Sequence, residues 1–256
     1  MKFLFTIIAY VLLTLNSSAQ TLVAYYPFNG NANDATGNGH NGTVNGATLT
    51  TDRFGNANSA YLFNGTSNNI IVPDAPTLRP AGAYTVNAWV QPADFYTGSC
   101  QINAIVSKGY YLDQNAYLLD YSCNHLDGGG CATFDPDLET FITTYDQGGA
   151  EQFSYAPDIV KLGKWYMVTG VYDGTNIKTY VNGHLEGVGA AINVSGTANT
   201  ADIYIGGYIN TVSPYWLNGK IDDISIYSGA LSDSAIFNTY VNDMKNPGSG
   251  NGLLFD

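Results

Sequence analysis

Short runs of alternating apolar and polar residues dominate the chain, and clusters of Gly, Asn and Asp separate them. A period of two is typical of β-strands, whereas the 3.6-residue period of long amphipathic helices is almost missing. The pattern therefore predicts an all-β fold, with strands near residues 22–28, 60–63, 69–72, 84–91, 102–107, 116–121, 139–145, 165–172, 176–181, 184–188, 203–208 and 220–227.

Two turn signals and one helical stripe refine this picture. The turn sequences "DGTN" at 173–176 and "NG" at 182–183 join three consecutive strand patterns, which predicts an antiparallel meander. Helical spacing occurs at 232–243, where Ser232 suits the N-cap position. The apolar stripe of this helix consists of Ile236, Phe237, Tyr240 and Val241. We expect the helix to close one edge of a β-sandwich.

The two ends of the chain have compositions unlike the middle. Residues 1–19 contain Lys2, an apolar run and small residues up to Ala19, which is the pattern of a secretory signal peptide. The run is too short to cross a membrane, since a helix needs roughly 20 apolar residues to do so. We expect one domain over 20–243, a linker-like tail over 244–256, and a secreted or cell-surface protein whose mature form does not insert into membranes.

The charge and the cysteines narrow the classes of partner. The formal net charge of −12 repels phosphate groups, which disfavours nucleic acid and favours a neutral glycan or an extracellular protein. Three cysteines in an exported chain predict one disulfide. Cys100 and Cys131 each precede a strand pattern, which favours a bond between them, with Cys100–Cys123 as the alternative.

Catalytic motifs are missing from the sequence. Glycoside hydrolysis needs two paired carboxyl groups, but the three glutamates, Glu139, Glu151 and Glu186, stand apart from one another. There is also no G-x-S-x-G or H-E-x-x-H motif. The sequence therefore predicts a binding module rather than an enzyme. A structural or adhesive protein-binding domain is the alternative, and a glycan-degrading enzyme is less favoured.

Aromatic residues are the best candidates for ligand contacts, since the chain has 20 Tyr and 3 Trp. Tyrosine and tryptophan present flat faces to sugar rings and polar groups to their hydroxyls. Tyr215 and Trp216 follow a proline in a predicted turn, and Tyr96 and Tyr110 lie in predicted loops. We predict that these four side chains contact a ligand.

A metal site is one of two interpretations of the Asn- and Gly-rich loop at 29–43, which contains Asp34. The other is a tight turn whose polar side chains bond to the local backbone. The metal needs a second acid, and strand alternation places Asp222 on the face of Ile224 and Ile226. If that face is the core, the Asp222 carboxylate is costly to bury unpaired, and a calcium ion would satisfy it.

Five stretches in order carry a family resemblance over about residues 22–242: "LVAYYPFNG", "YLFNGTSNNIIVP", "YTVNAWVQP", "WYMVTGVYDGTNIKTYVNGHLEG" and "GKIDDISIYSGALSDSAI". Together they resemble the laminin G-like domains of the concanavalin A-like lectin and glucanase superfamily. The resemblance implies a two-sheet antiparallel jelly-roll sandwich that binds carbohydrate or protein. It also implies a structural calcium ion held by Asp222, the carbonyl of Gly65 and the loop that contains Asp34.

Overall fold

The computed structural model describes residues 20–79, 82–97, 102–109, 113–122, 140–147, 152–156, 160–190, 198–208 and 215–245. These residues form two antiparallel sheets packed face to face and one C-terminal helix, which confirms the predicted jelly-roll sandwich. The predicted signal peptide, Tyr110, all three cysteines and the tail from residue 246 lie outside the described residues.

Every predicted strand is present in the structure. Their bounds are β1 Thr21–Tyr26, β2 Thr43–Asn45, β3 Thr48–Thr50, β4 Ala60–Asn64, β5 Asn69–Val72, β6 Tyr84–Pro92, β7 Asn103–Lys108, β8 Gln114–Ser122, β9 Thr140–Gln147, β10 Gln152–Ala156, β11 Tyr166–Tyr172, β12 Ile177–Val181, β13 His184–Val188, β14 Ile203–Ile205, β15 Gly207–Tyr208, β16 Tyr215–Trp216 and β17 Asn218–Ser228. Four of the observed strands, β2, β3, β10 and β16, lie outside the predicted ranges. A 3-10 turn spans Pro76–Leu78, and the helix α1 spans Asp233–Lys245.

Two sheets and a short hairpin organise these strands. The larger sheet has the order β13-β12-β11-β6-β17-β4-β3, with β1 paired to the C-terminal part of β17. The other sheet has the order β10-β9-β8-β7-β14-β5-β2, and β15 pairs with β16. The predicted meander is confirmed, since β11 pairs with β12 and β12 pairs with β13.

The main core lies between the two sheets and is built from the inward-facing side of each strand. It includes Val86, Tyr172 and Ile226 of the larger sheet and Ile105 and Ile203 of the other. Alternation along the strands brings these side chains to one face, where they are removed from water together. The sandwich is thus held by side chains from opposite ends of the chain.

The helix α1 covers the outer face of the larger sheet, which corrects the expectation that it closes an edge. Its buried residue Ile236 packs with Trp89, Met167 and Tyr180. The predicted cap is confirmed, because the Ser232 hydroxyl accepts a hydrogen bond from the N–H of Ala235 at 3.2 Å. Both faces of the central strands are therefore buried, one by the second sheet and one by the helix.

One predicted strand, 203–208, is in fact two. Gly206 separates β14 from β15 and has a φ of 75°, a conformation that suits glycine. An added Cβ at this position would also overlap the ring of Phe63. The break turns the chain out of the sheet and starts the hairpin that β15 forms with β16.

Candidate functional site

Strand β1 pairs with β17 along one of its edges. The loop that follows β1 folds back along the other edge. The N–H of Ala35 donates to the carbonyl of Tyr25 at 2.8 Å, and the N–H of Tyr25 donates to Asp34 Oδ1 at 3.1 Å. Asn38 Nδ2 donates to the carbonyl of Val23 at 2.8 Å. The loop therefore satisfies backbone groups that an unpaired edge strand would leave open.

The carboxylate of Asp34 is committed to hydrogen bonds within this loop. Besides the N–H of Tyr25, it accepts the N–H of Thr36 at 3.0 Å, the Thr36 hydroxyl at 2.8 Å and the N–H of His40 at 3.2 Å. Burial opposes ionisation, but these donors outweigh it and hold the pKa of Asp34 below its ordinary value. Asp34 is thus a local organiser of the turn.

Asp222 lies on the opposite face of the sheet from the one predicted. It pairs with Trp89 across β6, but the register then shifts, and Ser225 is the next residue to pair. This bulge, with Asp223 at a φ of 44°, lets both Ile221 and Ile224 face the core. Asp222 therefore points outward beside Trp89, and simple alternation fails at this site.

Arg53 partners Asp222 in the structure. Its Nη1 lies 2.7 Å from Asp222 Oδ2 and 2.8 Å from Asp223 Oδ2, and its guanidinium stacks 4.4 Å from the centre of a Trp89 ring. The hydroxyl of Tyr25 donates to Asp223 Oδ1 at 2.6 Å. Burial and the charge of Asp223 nevertheless raise the pKa of Asp222 well above its ordinary value. An arginine thus occupies the position expected for a cation.

Gly65, the third expected metal ligand, lies far from Asp34. Its N–H donates to the carbonyl of Leu217 at 2.9 Å, and an added Cβ would lie 2.8 Å from Asn218. Asp34 instead bonds to Tyr25, which pairs with Ser225. Gly65 is therefore near Asn218, and Asp34 is near Ser225. Seven positions of β17 separate these two residues, a span of about 20 Å.

These three residues therefore do not fit one shared calcium ion. Asp34 binds donors of its own loop, and Asp222 binds Arg53. Gly65 lies beside the start of β17, far from Asp34. Among the residues that the structure describes, no group of three His, Cys, Asp or Glu side chains has an arrangement that holds a metal. Calcium binding stays a prediction, without support from this ligand set.

Two of the four predicted aromatic residues, Tyr96 and Tyr215, come together with Tyr208 on the outer face of the seven-stranded sheet, and Tyr110 lies outside the described residues. The rings of Tyr208 and Tyr215 stack with centroids 5.6 Å apart and planes at 8°, and Tyr96 meets Tyr215 edge-on at 6.2 Å. They pack on Ala104 and Leu118. Tyr215 and Tyr208 are buried, so they support the surface, whereas Tyr96 is half-buried.

Trp216 is half-buried and lies across Gly207. An added Cβ at Gly207 would be 3.1 Å from two carbons of the indole ring and 3.7 Å from Cβ of Asn69. Asn45 Nδ2 donates to Asn69 Oδ1 at 2.9 Å. Two positions beyond the tryptophan, Asn218 contacts the loop that contains Gly65. We call Trp216, Asn45, Asn69, Asn218 and the loop 64–68 the Trp216 surface.

Sequence reasoning missed the asparagines and Tyr208. The asparagines resemble ordinary turn residues, and Tyr208 is the last residue of the apparently continuous strand pattern at 203–208. The signal that could have found them is the Gly206–Gly207 pair, because two glycines inside a strand indicate a break or a close approach. Arg53 was missed because its carboxylate partners come from the far end of the chain.

The comparisons with known proteins agree with this architecture. The family model of the concanavalin A-like lectin and glucanase superfamily, laminin G type, matches residues 64–237, which is more than half of the 256-residue chain. The chain belongs to this family. No curated protein matches the sequence of this laminin G-like chain.

Solved structures with the same fold include a domain of an arabinanase and the binding domains of other proteins. Domain 4 of an extracellular arabinanase from Geobacillus stearothermophilus, in complex with arabinotriose, is 22% identical, with a TM-score of 0.62, covering 85% of this chain and 97% of that one. The botulinum neurotoxin serotype D ligand binding domain in complex with N-acetylneuraminic acid is 16% identical, with a TM-score of 0.62. The alignment covers 87% of this chain and 51% of the toxin domain.

A third similar structure is the binding domain of Paraclostridial mosquitocidal protein 1, with 16% identity and a TM-score of 0.63 over 86% of this chain and 52% of that one. The laminin G-like chain thus spans about half the length of these toxin domains. In the part of the chain that the structure describes, no helix is long and apolar enough to cross a membrane.

Proposed function

We propose that this laminin G-like domain is a secreted, non-catalytic module that binds neutral glycans on the Trp216 surface. The observation that carries the proposal is the half-buried indole of Trp216, which packs across Gly207, where an added Cβ would lie 3.1 Å from two indole carbons. The proposed secretion rests on the N-terminal signal sequence.

The chemistry of this surface suits a sugar. The apolar C–H face of a pyranose or furanose ring can stack on an indole, while the exposed amide of Asn45 and the half-buried amide of Asn218 can donate and accept hydrogen bonds. The buried Tyr208–Tyr215 pair supports the hairpin that carries Trp216, so the ring is positioned before a ligand arrives. Such preorganisation lowers the entropic cost of binding.

The charge of the chain favours a neutral ligand. A formal charge of −12 repels carboxylated and sulfated glycans, and the Trp216 surface as defined contains no cationic side chain. The ligands of the similar structures provide first probes, since one is the neutral arabinotriose and the other is the acidic N-acetylneuraminic acid. We expect the neutral probe to bind more tightly.

Two observations support a role without catalysis. Hydrolysis of a glycosidic bond needs two carboxyl groups that flank the substrate. Asp222 and Asp223 are neighbours, but both bind Arg53, and Asp222 is only 2% exposed. Asp222 also lies beside Trp89 on the outer face of the larger sheet, and neither carboxylate belongs to the Trp216 surface.

Isothermal titration calorimetry with arabinotriose tests the proposal. We expect Trp216→Ala to weaken binding at least tenfold, which corresponds to about 1.4 kcal/mol, because it removes the stacking face. Trp165→Ala is the matched control, since Trp165 is also half-buried but packs in the cluster beside Trp89. We expect this control to bind like the wild-type protein.

Other outcomes would contradict the proposal. Equal losses in both tryptophan variants would indicate a general effect on the fold, and wild-type affinity in Trp216→Ala would place the glycan elsewhere. A panel of neutral oligosaccharides on a glycan array extends the test beyond arabinotriose. Release of reducing ends from any of these glycans, above the level of heat-inactivated protein, would contradict the absence of catalysis.

A further inference from the structure

A cleft of about 530 Å³ opens at the end of the sandwich where β1 and β6 begin and β17 ends. Its volume is within the range of sites that take small molecules. It lies away from the Trp216 surface, and the two share no residue. The cleft is lined by Thr21, Val23, Asn38, Pro76, Thr77, Leu78, Arg79, Gly82, Ala83, Tyr84, Tyr117, Ile226, Tyr227 and Ser228.

Two of the lining residues are tyrosines from opposite sheets. Tyr84 of β6 and Tyr117 of β8 are each 4% exposed, and their rings stack with centroids 5.0 Å apart. Among the atoms that the structure describes, neither hydroxyl has a hydrogen-bond partner. A buried hydroxyl without a partner is unfavourable, so two of them beside one cleft are unusual in a folded domain.

We propose that this cleft is a second binding site, which takes a small neutral ligand rich in hydroxyl groups, of the size of one or two sugar rings. Each tyrosine hydroxyl can both donate and accept a hydrogen bond, as can each hydroxyl of such a ligand. The ligand therefore supplies both of the partners that the protein leaves out.

The other walls of the cleft match the same class of ligand. Val23, Leu78 and Ile226 provide apolar contacts for C–H groups, and the hydroxyls of Thr21 and Ser228 lie at the opening. A sugar ring presents one polar face and one apolar face, so it matches both kinds of wall in this cleft.

The charge in the cleft also favours a neutral molecule. Arg79 is its cationic side chain, and Nε and Nη2 of this residue both bind Asp74 Oδ2. Asp74 also accepts a hydrogen bond from Lys108 at 2.7 Å. The guanidinium is therefore already paired with a carboxylate, which lowers its value as an anchor for an anionic ligand.

Saturation-transfer difference NMR with L-arabinose, D-glucose, D-galactose and cellobiose tests this site. We expect at least one of the four to bind the wild-type protein and to lose at least fivefold in affinity in Tyr84→Phe and in Tyr117→Phe. Both variants keep the stacked rings, so we expect melting midpoints equal to or above that of the wild-type protein without sugar. Tyr180→Phe is the matched control, because its hydroxyl donates to Asp233 under the helix.

The outcomes separate this site from the Trp216 surface. Binding that survives Trp216→Ala but not Tyr84→Phe supports the cleft, whatever becomes of the proposed function. Unchanged affinity in both tyrosine variants would overturn the proposal. It would indicate that buried water, and not a ligand, satisfies the two hydroxyls. Absence of binding by all four sugars, or a lower melting midpoint in both variants without sugar, would overturn it as well.

Discussion

The carboxylate of Asp34 accepts hydrogen bonds from three backbone N–H groups and from the hydroxyl of Thr36. A calcium ion that bound these carboxylate oxygens would have to displace the N–H and O–H donors that already surround them. At this residue the structure therefore favours the local turn over the metal, although both are compatible with the sequence of the loop.

The two interpretations differ in how stability responds to calcium. We expect Asp34→Asn to lower the unfolding free energy by about 1–3 kcal/mol, because the amide cannot accept from all of these donors. We expect this loss to be the same in millimolar calcium as in chelator, since the lost bonds come from the protein. Urea unfolding of metal-stripped protein measures both values.

The wild-type protein is the control for that experiment. A calcium-dependent rise in its stability that disappears in Asp34→Asn would contradict the turn interpretation and support a metal at the loop. Equal midpoints with calcium and with chelator would leave the hydrogen bonds as the whole explanation for the role of Asp34 in this loop.

Two further residues show where sequence reasoning ends. The hydrophobic pattern of β17 identified the strand but placed Asp222 on the wrong face, because alternation assumes an unbroken register and the bulge at Asp223 breaks it. The role of Arg53 depends on two carboxylates that lie 169 and 170 positions away in the sequence. Local patterns contain no information about such a pair.

At the scale of elements, prediction succeeded where a strand is long enough to show its period. Strands such as β6 and β11 were predicted to within a residue or two, because each has seven or more residues. The strands β2, β3 and β16 have only two or three residues, which is too few to alternate, and they were missed. The hairpin that carries Trp216 was thus found only in part. The five-residue strand β10 was missed as well.

The break between β14 and β15 gives a prediction about this hairpin. We expect Gly206→Ala to lower the unfolding free energy by about 3 kcal/mol, since the φ of 75° disfavours a side chain and the added methyl overlaps Phe63. Gly55→Ala is the control, with a φ of 87° and no atom within 4 Å of the added methyl. We expect it to lose only about 1 kcal/mol.

Urea unfolding compares the two glycine variants directly. A similar loss in both would mean that backbone strain alone matters and that Phe63 moves aside without cost. If Phe63 does resist, the hairpin shifts instead, and Gly206→Ala should also weaken binding of arabinotriose, whereas Gly55→Ala should not.

For the whole molecule, buried and half-buried carboxylates act on stability in two opposite directions. Hydrogen bonds and ion pairs outweigh burial at Asp34, Asp74 and Asp173 and lower the pKa of each. Their contribution is present above the unfolded pKa of about 3.9 and is lost as pH falls below it. Burial and the charge of Asp223 instead raise the pKa of Asp243 to about 6, despite the bond from Trp89.

Asp243 should therefore make the domain more stable in mild acid than at neutral pH. A carboxyl group with a raised folded pKa binds more protons in the folded state, so stability falls as pH rises from about 4 to above 6. We expect the unfolding free energy to rise by roughly 1–2 kcal/mol between pH 7.5 and pH 5, less than the full shift because Asp243 is partly exposed. It should then decline below pH 4 as Asp34, Asp74 and Asp173 become protonated.

The variant Asp243→Asn isolates this effect, because the amide keeps an oxygen to accept the hydrogen bond of 2.9 Å from Trp89 Nε1 but cannot ionise. We expect it to be more stable than the wild-type protein at pH 7.5 and to lose most of the rise toward pH 5, while the decline below pH 4 remains. Asp233→Asn, on the same helix but bonded to Tyr180, is the control and should keep the wild-type profile. Urea midpoints measured from pH 3 to pH 7.5 test this prediction. If the rise in stability toward pH 5 persists in Asp243→Asn, it comes from Asp222 instead, because burial and the same neighbour, Asp223, raise the pKa of Asp222.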